Sequence, residues 1–243
     1  MNDTVQQAIE FRDDVTVEMV RSNASDSDVV FAARVSTKGE QSREDVAADA
    51  SSSVGLINYL MRDRHGSPFE HNSMTFYVQA PIFVFREFMR HRIASYNEES
   101  GRYRELRPVF YVPGPERRLV QVGKPGAYEF EPGTSAQHAL VDEEVRAVCT
   151  EAYASYQRML EAGVAREVAR VVLPVTIYSS MYVTMNARSL MNFLSLRTKR
   201  DDTHFPSFPQ REIEMVAEKM EENWASLMPL TYQAFNKAGR VAP

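Results

Sequence analysis

SMTFYVQAPIFVFREFMRHR, residues 73–92, places a strand directly before a helix. Residues 73–80 read as the strand, and Pro81 suits the first turn of the helix that follows. Helical spacing then puts Phe85, Phe88 and Met89 on an apolar side, while Arg86 and Arg90, four apart, share a neighbouring one. Upstream, VTVEMVR (15–21) predicts an early strand, and Ser25 and Asp26 introduce a short helix over SDVVFAARVS. Gly39 to Asp45 is polar and reads as a loop or mobile segment. VGLINYLMRDRH (54–65) has amphipathic helical spacing and is stopped by Gly66, Ser67 and Pro68.

Downstream, Asn97 to Gly101 should leave the helix. From Arg107 to Gly133, five prolines and four glycines predict an ordered excursion or a long surface loop. A long helix is expected from Ser135 to about Glu161, ended by Gly163. VAREVARVVLP gives a shorter helix before Pro174, TIYSSMYVTMN (176–186) a strand, and NARSLMNFLSLR (186–197) a helix. The last amphipathic stretch, PQREIEMVAEKMEENWASLMP, buries Ile213, Met215, Val216 and Trp224. Helices dominate and strands do not alternate cleanly with them, so α+β is favoured over a doubly wound sheet. A single domain over residues 1–243 is expected.

Composition narrows the functional classes. With 243 residues, 44% hydrophobic and 25% charged, the chain has enough apolar material for a sizeable core. Its formal charge of -5 weakens a nucleic-acid reading. Arginine supplies 23 of the 28 basic residues, which favours fixed guanidinium forks over a diffuse lysine coat. The single cysteine, Cys149, excludes an internal disulfide and a Cys-rich metal site, and it reads as a small buried hydrophobe. The N-terminal residues lack a secretory pattern and no run of about 18 apolar residues appears, so a soluble cytoplasmic protein without a membrane partner is expected. HExxH, GxGxxG and GxxxxGK[ST] are all absent, and no metal is expected.

The densest chemistry lies in RHRIASYNEESGRYRELR, residues 90–107. Arg90, His91, Arg92, Arg102, Arg104 and Arg107 supply anion-binding capacity, which Glu98, Glu99 and Glu105 partly offset. Ser100 adds a hydroxyl, and Gly101 lets a backbone approach phosphate closely. The same residues would equally serve an arginine–glutamate network at a subunit interface. In the second cluster, Asn186, Arg188 and Asn192 occupy a helical entry, with Arg197 five positions on. Asparagine amides both donate and accept, as an imide edge requires. Arg170 interrupts an otherwise small and apolar helix.

RHR at 90–92, seven residues and then Ser100 resemble the RHR-x7-S signature of flavin-dependent thymidylate synthases. HGSPFEH (65–71), AREVARVVLP (165–174) and NARSLMNFLSLR also resemble that family, in the same order, from about Val15 to Trp224. The likeness is greatest to actinobacterial members. It implies a fold of mixed helices and antiparallel sheet, assembled as a homotetramer with intersubunit active sites. The reaction it implies converts dUMP to dTMP with 5,10-methylenetetrahydrofolate as carbon donor, NADPH as reductant and FAD as hydride carrier, releasing tetrahydrofolate.

The resemblance also implies roles for particular residues. Arg90, His91 and Arg92 would hold FAD, Ser67 would lie near its phosphates, and Asn186, Arg188 and Asn192 would make further flavin contacts. His65 would stand near the reactive ring and the folate. Ser100, Gly101 and Arg102 would receive the dUMP phosphate, Arg170 would bind the nucleotide, and Arg197 would act on the pyrimidine as the catalytic residue. Glu87 stands where the family commonly has glutamine, and an ionised carboxylate accepts but cannot donate; it retains a nucleotide-binding expectation. The residues leave two other classes open: a flavin- or nucleotide-binding homologue without synthase activity, and an arginine-mediated RNA-binding protein.

Overall fold

The computed structural model describes residues 8–39 and 50–243. The expected polar loop therefore lies outside the described residues beyond Gly39. Strand β1 (Glu10–Arg12) is followed by β2 (Thr16–Asn23) and α1 (Asp26–Lys38). Ser25 starts α1 by accepting a hydrogen bond from the Asp28 amide at 3.2 Å.

Helix α2 (Ala50–Arg62) ends earlier than its sequence suggests. Arg64 adopts a left-handed φ of 61°, with its amide donating to Met61 O and the His65 amide to Leu60 O. This is a Schellman termination, built on an arginine where glycine is the usual choice. Gly66 and Pro68 come later, beside a short 3-10 turn over Ser67–Glu70.

In β3 (Ser73–Pro81) burial alternates: Met74, Phe76, Val78 and Ala80 are fully buried. Pro81 is the residue preceding α3 (Ile82–Phe88) rather than part of its first turn. Phe85 and Phe88 are buried as expected, but Met89 is exposed because the helix has already ended there. The expected exit from that helix contains a short strand, β4 (Ser95–Glu98).

The Pro- and Gly-rich stretch is ordered. It holds β5 (Val109–Tyr111), paired in parallel with β1, and an antiparallel hairpin of β6 (Val120–Lys124) and β7 (Ala127–Glu131). Pro125 and Gly126, the latter at φ 86°, form the connecting turn. Helix α4 (Ser135–Glu161) opens on a capping box between Thr134 and Gln137 and closes at Gly163, φ 81°. A short α5 (Arg166–Ala169), a 3-10 turn over Arg170–Val172, β8 (Tyr178–Met185) and α6 (Ala187–Arg197) follow.

Ile213, Val216 and Trp224 of α7 (Arg211–Leu227) are fully buried, whereas Met215 is only half-buried. A further helix, α8 (Pro229–Lys237), was not foreseen. Its amino end is capped from a distance: Asp26 accepts from the amides of Leu230 and Thr231 and from the Thr231 hydroxyl at 2.6–2.9 Å.

A four-stranded sheet takes the order β2–β3–β8–β4. Thr75 bonds Thr184 at 2.8 Å, and the Tyr77 and Tyr182 rings lie 5.8 Å apart, so β3 and β8 run antiparallel. The architecture is α+β. The chain divides into two compact units. One comprises the described residues through Thr16 together with Gln79–Met89 and Asn97–Met181. In its core Phe110, Tyr153, Tyr156 and Ile177 surround Cys149, a buried free thiol as anticipated. The other comprises Val17–Val78, Arg90–Tyr96 and Tyr182–Pro243. There Trp224 meets Tyr232 and Phe235 edge-on where α7 packs against α8.

Candidate functional site

In the first unit, the turn after β4 is organised by its own hydroxyl. Ser100 Oγ accepts from the Arg102 amide at 3.3 Å, and its carbonyl accepts from the amides of Tyr103 and Arg104. Gly101 is buried under Arg170: a Cβ there would lie 3.3 Å from Arg170 Cδ and 3.1 Å from Leu106 Cδ1. Arg170, at the junction of α5 and the 3-10 turn, lines a small cavity of about 110 Å3 with Glu98, Glu99 and Gly101. Arg102 is held by Glu167 at 2.5 Å and Arg104 by Glu99 at 3.0 Å. Glu87, on α3, is half-buried.

Glu98 belongs in this cluster, although its sequence context suggested only charge compensation. Burial, the largest influence, raises its carboxyl pKa above the ordinary value. The acidic run NEES was the available signal, but nothing in it shows which glutamate faces inward.

In the second unit, His65, Gly66 and Ser67 form the turn leading out of α2. A Cβ on Gly66 would stand 2.6 Å from the Arg188 guanidinium, so glycine is what lets that backbone and arginine lie together. Arg188 also donates to Glu70 Oε1 at 2.5 Å and to Pro243 O at 2.6 Å. Asn186 caps α6, its side-chain oxygen accepting from the Ser189 amide at 2.9 Å, which leaves its NH2 group as a donor. Asn192 is the converse: its NH2 donates to Arg188 O at 3.1 Å and its oxygen remains an acceptor. The side chains of Arg90 and Arg92, both exposed, have no carboxylate partner among the described residues.

Nothing in the sequence signals that His91 and Arg197 meet. Arg197 Nε donates to His91 Nε2 at 3.0 Å, while Phe193 lies edge-on to the imidazole at 4.9 Å. Burial first, and then the Arg197 charge, push the His91 pKa down to about 4. The ring is therefore neutral near pH 7 and can orient the guanidinium without compensating its charge. Such a guanidinium can polarise a carbonyl, and the free arginines beside it can receive phosphates. Among the described residues no group of His, Cys, Asp or Glu side chains could hold a metal ion.

Residues 18–230 match the family described as thymidylate synthase complementing protein. A flavin-dependent thymidylate synthase from Streptomyces coelicolor is 68% identical over 236 residues, covering 97% of this chain and 96% of that protein. The corresponding protein of Tropheryma whipplei is 61% identical over 235 residues, covering 96% of this chain and 97% of its own length. Among solved structures, the UMP/dUMP methylase PolB from Streptomyces cacaoi, bound with 5-Br UMP, shares 56% identity at a TM-score of 0.90 over 98% of this chain and all of that one. The fold and these relatives define a methyl-transferring enzyme of nucleotide biosynthesis. The chain belongs to the flavin-dependent thymidylate synthase family.

Proposed function

We propose that this enzyme methylates dUMP to dTMP, taking its one-carbon unit from 5,10-methylenetetrahydrofolate and reducing equivalents from NADPH, with release of tetrahydrofolate. The observation that carries the reading is Arg197 oriented by a neutral His91, within a chain whose relatives are named for this reaction. When bound, FAD supplies the hydride-carrier chemistry. The Gly66 turn beneath Arg188, the remaining donor of Asn186, the remaining acceptor of Asn192 and the two uncommitted guanidiniums of Arg90 and Arg92 suit a diphosphate-bearing dinucleotide. Ser67 adds an exposed hydroxyl to that turn, and His65 would flank the reacting ring and the folate.

Ser100, Gly101, Arg102 and Arg170 would take the nucleotide phosphate, with Glu87 contacting the nucleotide nearby. Arg102 must then exchange Glu167 for phosphate, an exposed ion pair whose loss costs little. Arg197 would stabilise negative charge developing on the uracil carbonyl, and fixed donors of this kind each contribute about 10²–10³ in rate. Cys149 is buried, its thiol pKa raised by that burial, and a cysteine nucleophile has no part in this scheme.

The chain is inferred to act as a cytoplasmic homotetramer on small molecules rather than nucleic acid; no described helix is long and apolar enough to cross a membrane. The likeness to PolB supports a second reading, in which UMP is also accepted. One assay tests both: FAD-loaded protein with NADPH and 5,10-methylenetetrahydrofolate is given dUMP and UMP separately and in competition. Formation of dTMP is expected. Its absence from assembled, flavin-loaded protein overturns the first reading, and methylation of UMP at a comparable kcat/KM would establish the second.

A further inference from the structure

Two neighbouring serines of β8 stand opposite two neighbouring glutamates at the end of β4, and the pairs are not alike. The Glu99 amide donates to Ser180 O at 2.8 Å, which ties the two segments together. The Ser180 hydroxyl then donates to Glu99 Oε2 at 3.2 Å, and Arg104 pairs with the other carboxylate oxygen at 3.0 Å. Ser179 is 3% exposed, yet its Oγ has no hydrogen-bond partner among the described residues. A buried hydroxyl in that state costs stability, because the water it gave up has not been replaced. Alanine would occupy the same place on the strand without that cost, so the hydroxyl calls for a reason.

It lines the cavity of about 110 Å3 in which Glu98, Glu99, Gly101 and Arg170 converge. Glu99 is already engaged by Ser180 and Arg104, which leaves Glu98 as the carboxylate on which Ser179 acts. Burial, the largest influence, raises the Glu98 pKa, and the Ser179 hydroxyl draws it down. Glu99, next to it in the chain, raises it further, and Arg170, from the 3-10 turn, lowers it. A hydroxyl that works against burial in this way favours the ionised carboxylate, which accepts through both oxygens.

We propose that Ser179 is a positioning residue of the nucleotide site, its hydroxyl donating to Glu98 and fixing that carboxylate as an acceptor toward the bound nucleotide. The assignment rests on the reading above, in which Arg170 and the Ser100 turn take the nucleotide. Arg170 supplies a cation and Glu98 an acceptor, so one small cavity meets both the anionic and the hydrogen-donating groups of the same ligand.

The test is calorimetry of dUMP binding to FAD-loaded protein between about pH 5 and 8, without folate or NADPH, so that no turnover is needed. Losing the donor raises the Glu98 pKa further, and the carboxylate takes up its proton at a higher pH. Ser179→Ala should therefore bind dUMP much as the parent does near pH 8 and about tenfold more weakly toward pH 5, a shift of roughly one pH unit in the profile. Ser179→Thr keeps the hydroxyl and should restore the parent profile. In a Glu98→Gln background, Ser179→Ala should make no pH-dependent difference. The phosphate of dUMP titrates in the same range, but alike for every variant, and cancels from the ratio. Urea midpoints are the folding control: Ser179→Ala should be at least as stable as the parent, since it removes an unmet hydroxyl.

Weakening by one factor at every pH would overturn the proposal and place the hydroxyl on the nucleotide itself. Clear dUMP binding with the same profile in parent and Ser179→Ala would also overturn it, leaving a structural serine and the nucleotide reading intact. A flavin-loaded parent that binds no dUMP at any pH would take down the nucleotide reading, and the proposal with it.

Discussion

Two arginines meet the carboxyl end of α6 and are held in opposite ways. Arg197, its last residue, donates to an imidazole kept neutral by burial and by the guanidinium itself. Arg240 is 4% exposed and donates to Glu221 Oε1 at 2.6 Å, to Asn236 at 2.7 Å and to the Thr198 hydroxyl at 2.8 Å. Glu221 also accepts from Arg200 at 3.0 Å. One guanidinium is oriented by a neutral imidazole, whereas the other is neutralised by Glu221 and braces the helix end through the residue next to Arg197. Thr198 completes that brace by donating its hydroxyl to Leu194 O at 2.7 Å. A neutral acceptor orients an arginine without cancelling its charge, whereas a buried carboxylate does both.

The largest break in the comparison should come from Arg197→Ala. Loss of a fixed donor aimed at developing charge should lower kcat by about 10²–10³ while flavin content, read from its absorbance, changes little. Near-normal turnover would remove Arg197 from the pyrimidine role. Arg240→Met should do the reverse. It leaves Glu221 buried with one of its two cations gone, and one-sided loss of a buried pair costs ~3 kcal/mol or more. The urea midpoint should fall with an unchanged m-value. A midpoint within error of the parent would show that Arg200 alone satisfies Glu221.

These two arginines also mark where the sequence stops being readable. Elements set by local periodicity and by their own end signals were legible: α4 runs from a Thr134 capping box to Gly163, and β3 alternates as written. Contacts closed over long separations were not. Asp26 caps α8 across more than 200 positions, and Arg197 meets His91 across 106. The α2 stop at Arg64 was hidden because a left-handed arginine has no compositional mark, and β4 because a short strand is defined by its neighbours. The RHR motif, the HGSPFEH turn and NARSLMNFLSLR identified candidate residues without their contacts. Sequence alone showed neither that Arg102 is tied to Glu167 nor that Arg90 and Arg92 lack such ties among the described residues.

The smallest effect is a titration that makes the reactive arginine resemble neither case. His91 has a folded pKa of about 4, below its ordinary value of 6.5, so the unfolded chain takes up the proton first as pH falls. The resulting stability is present above pH 6.5 and is lost progressively between pH 6.5 and 4. Protonation also places a second positive charge against Arg197 and removes the lone pair that orients it. Turnover should therefore decline over the lower part of that window, and the stability slope contributed by this group should vanish in His91→Gln, whose amide oxygen can still accept from Arg197. Urea midpoints taken at successive pH values for parent and variant measure the difference directly. Parallel curves would mean that His91 titrates alike in the folded and unfolded chain, and the distinction between the two arginines would then lie in burial alone.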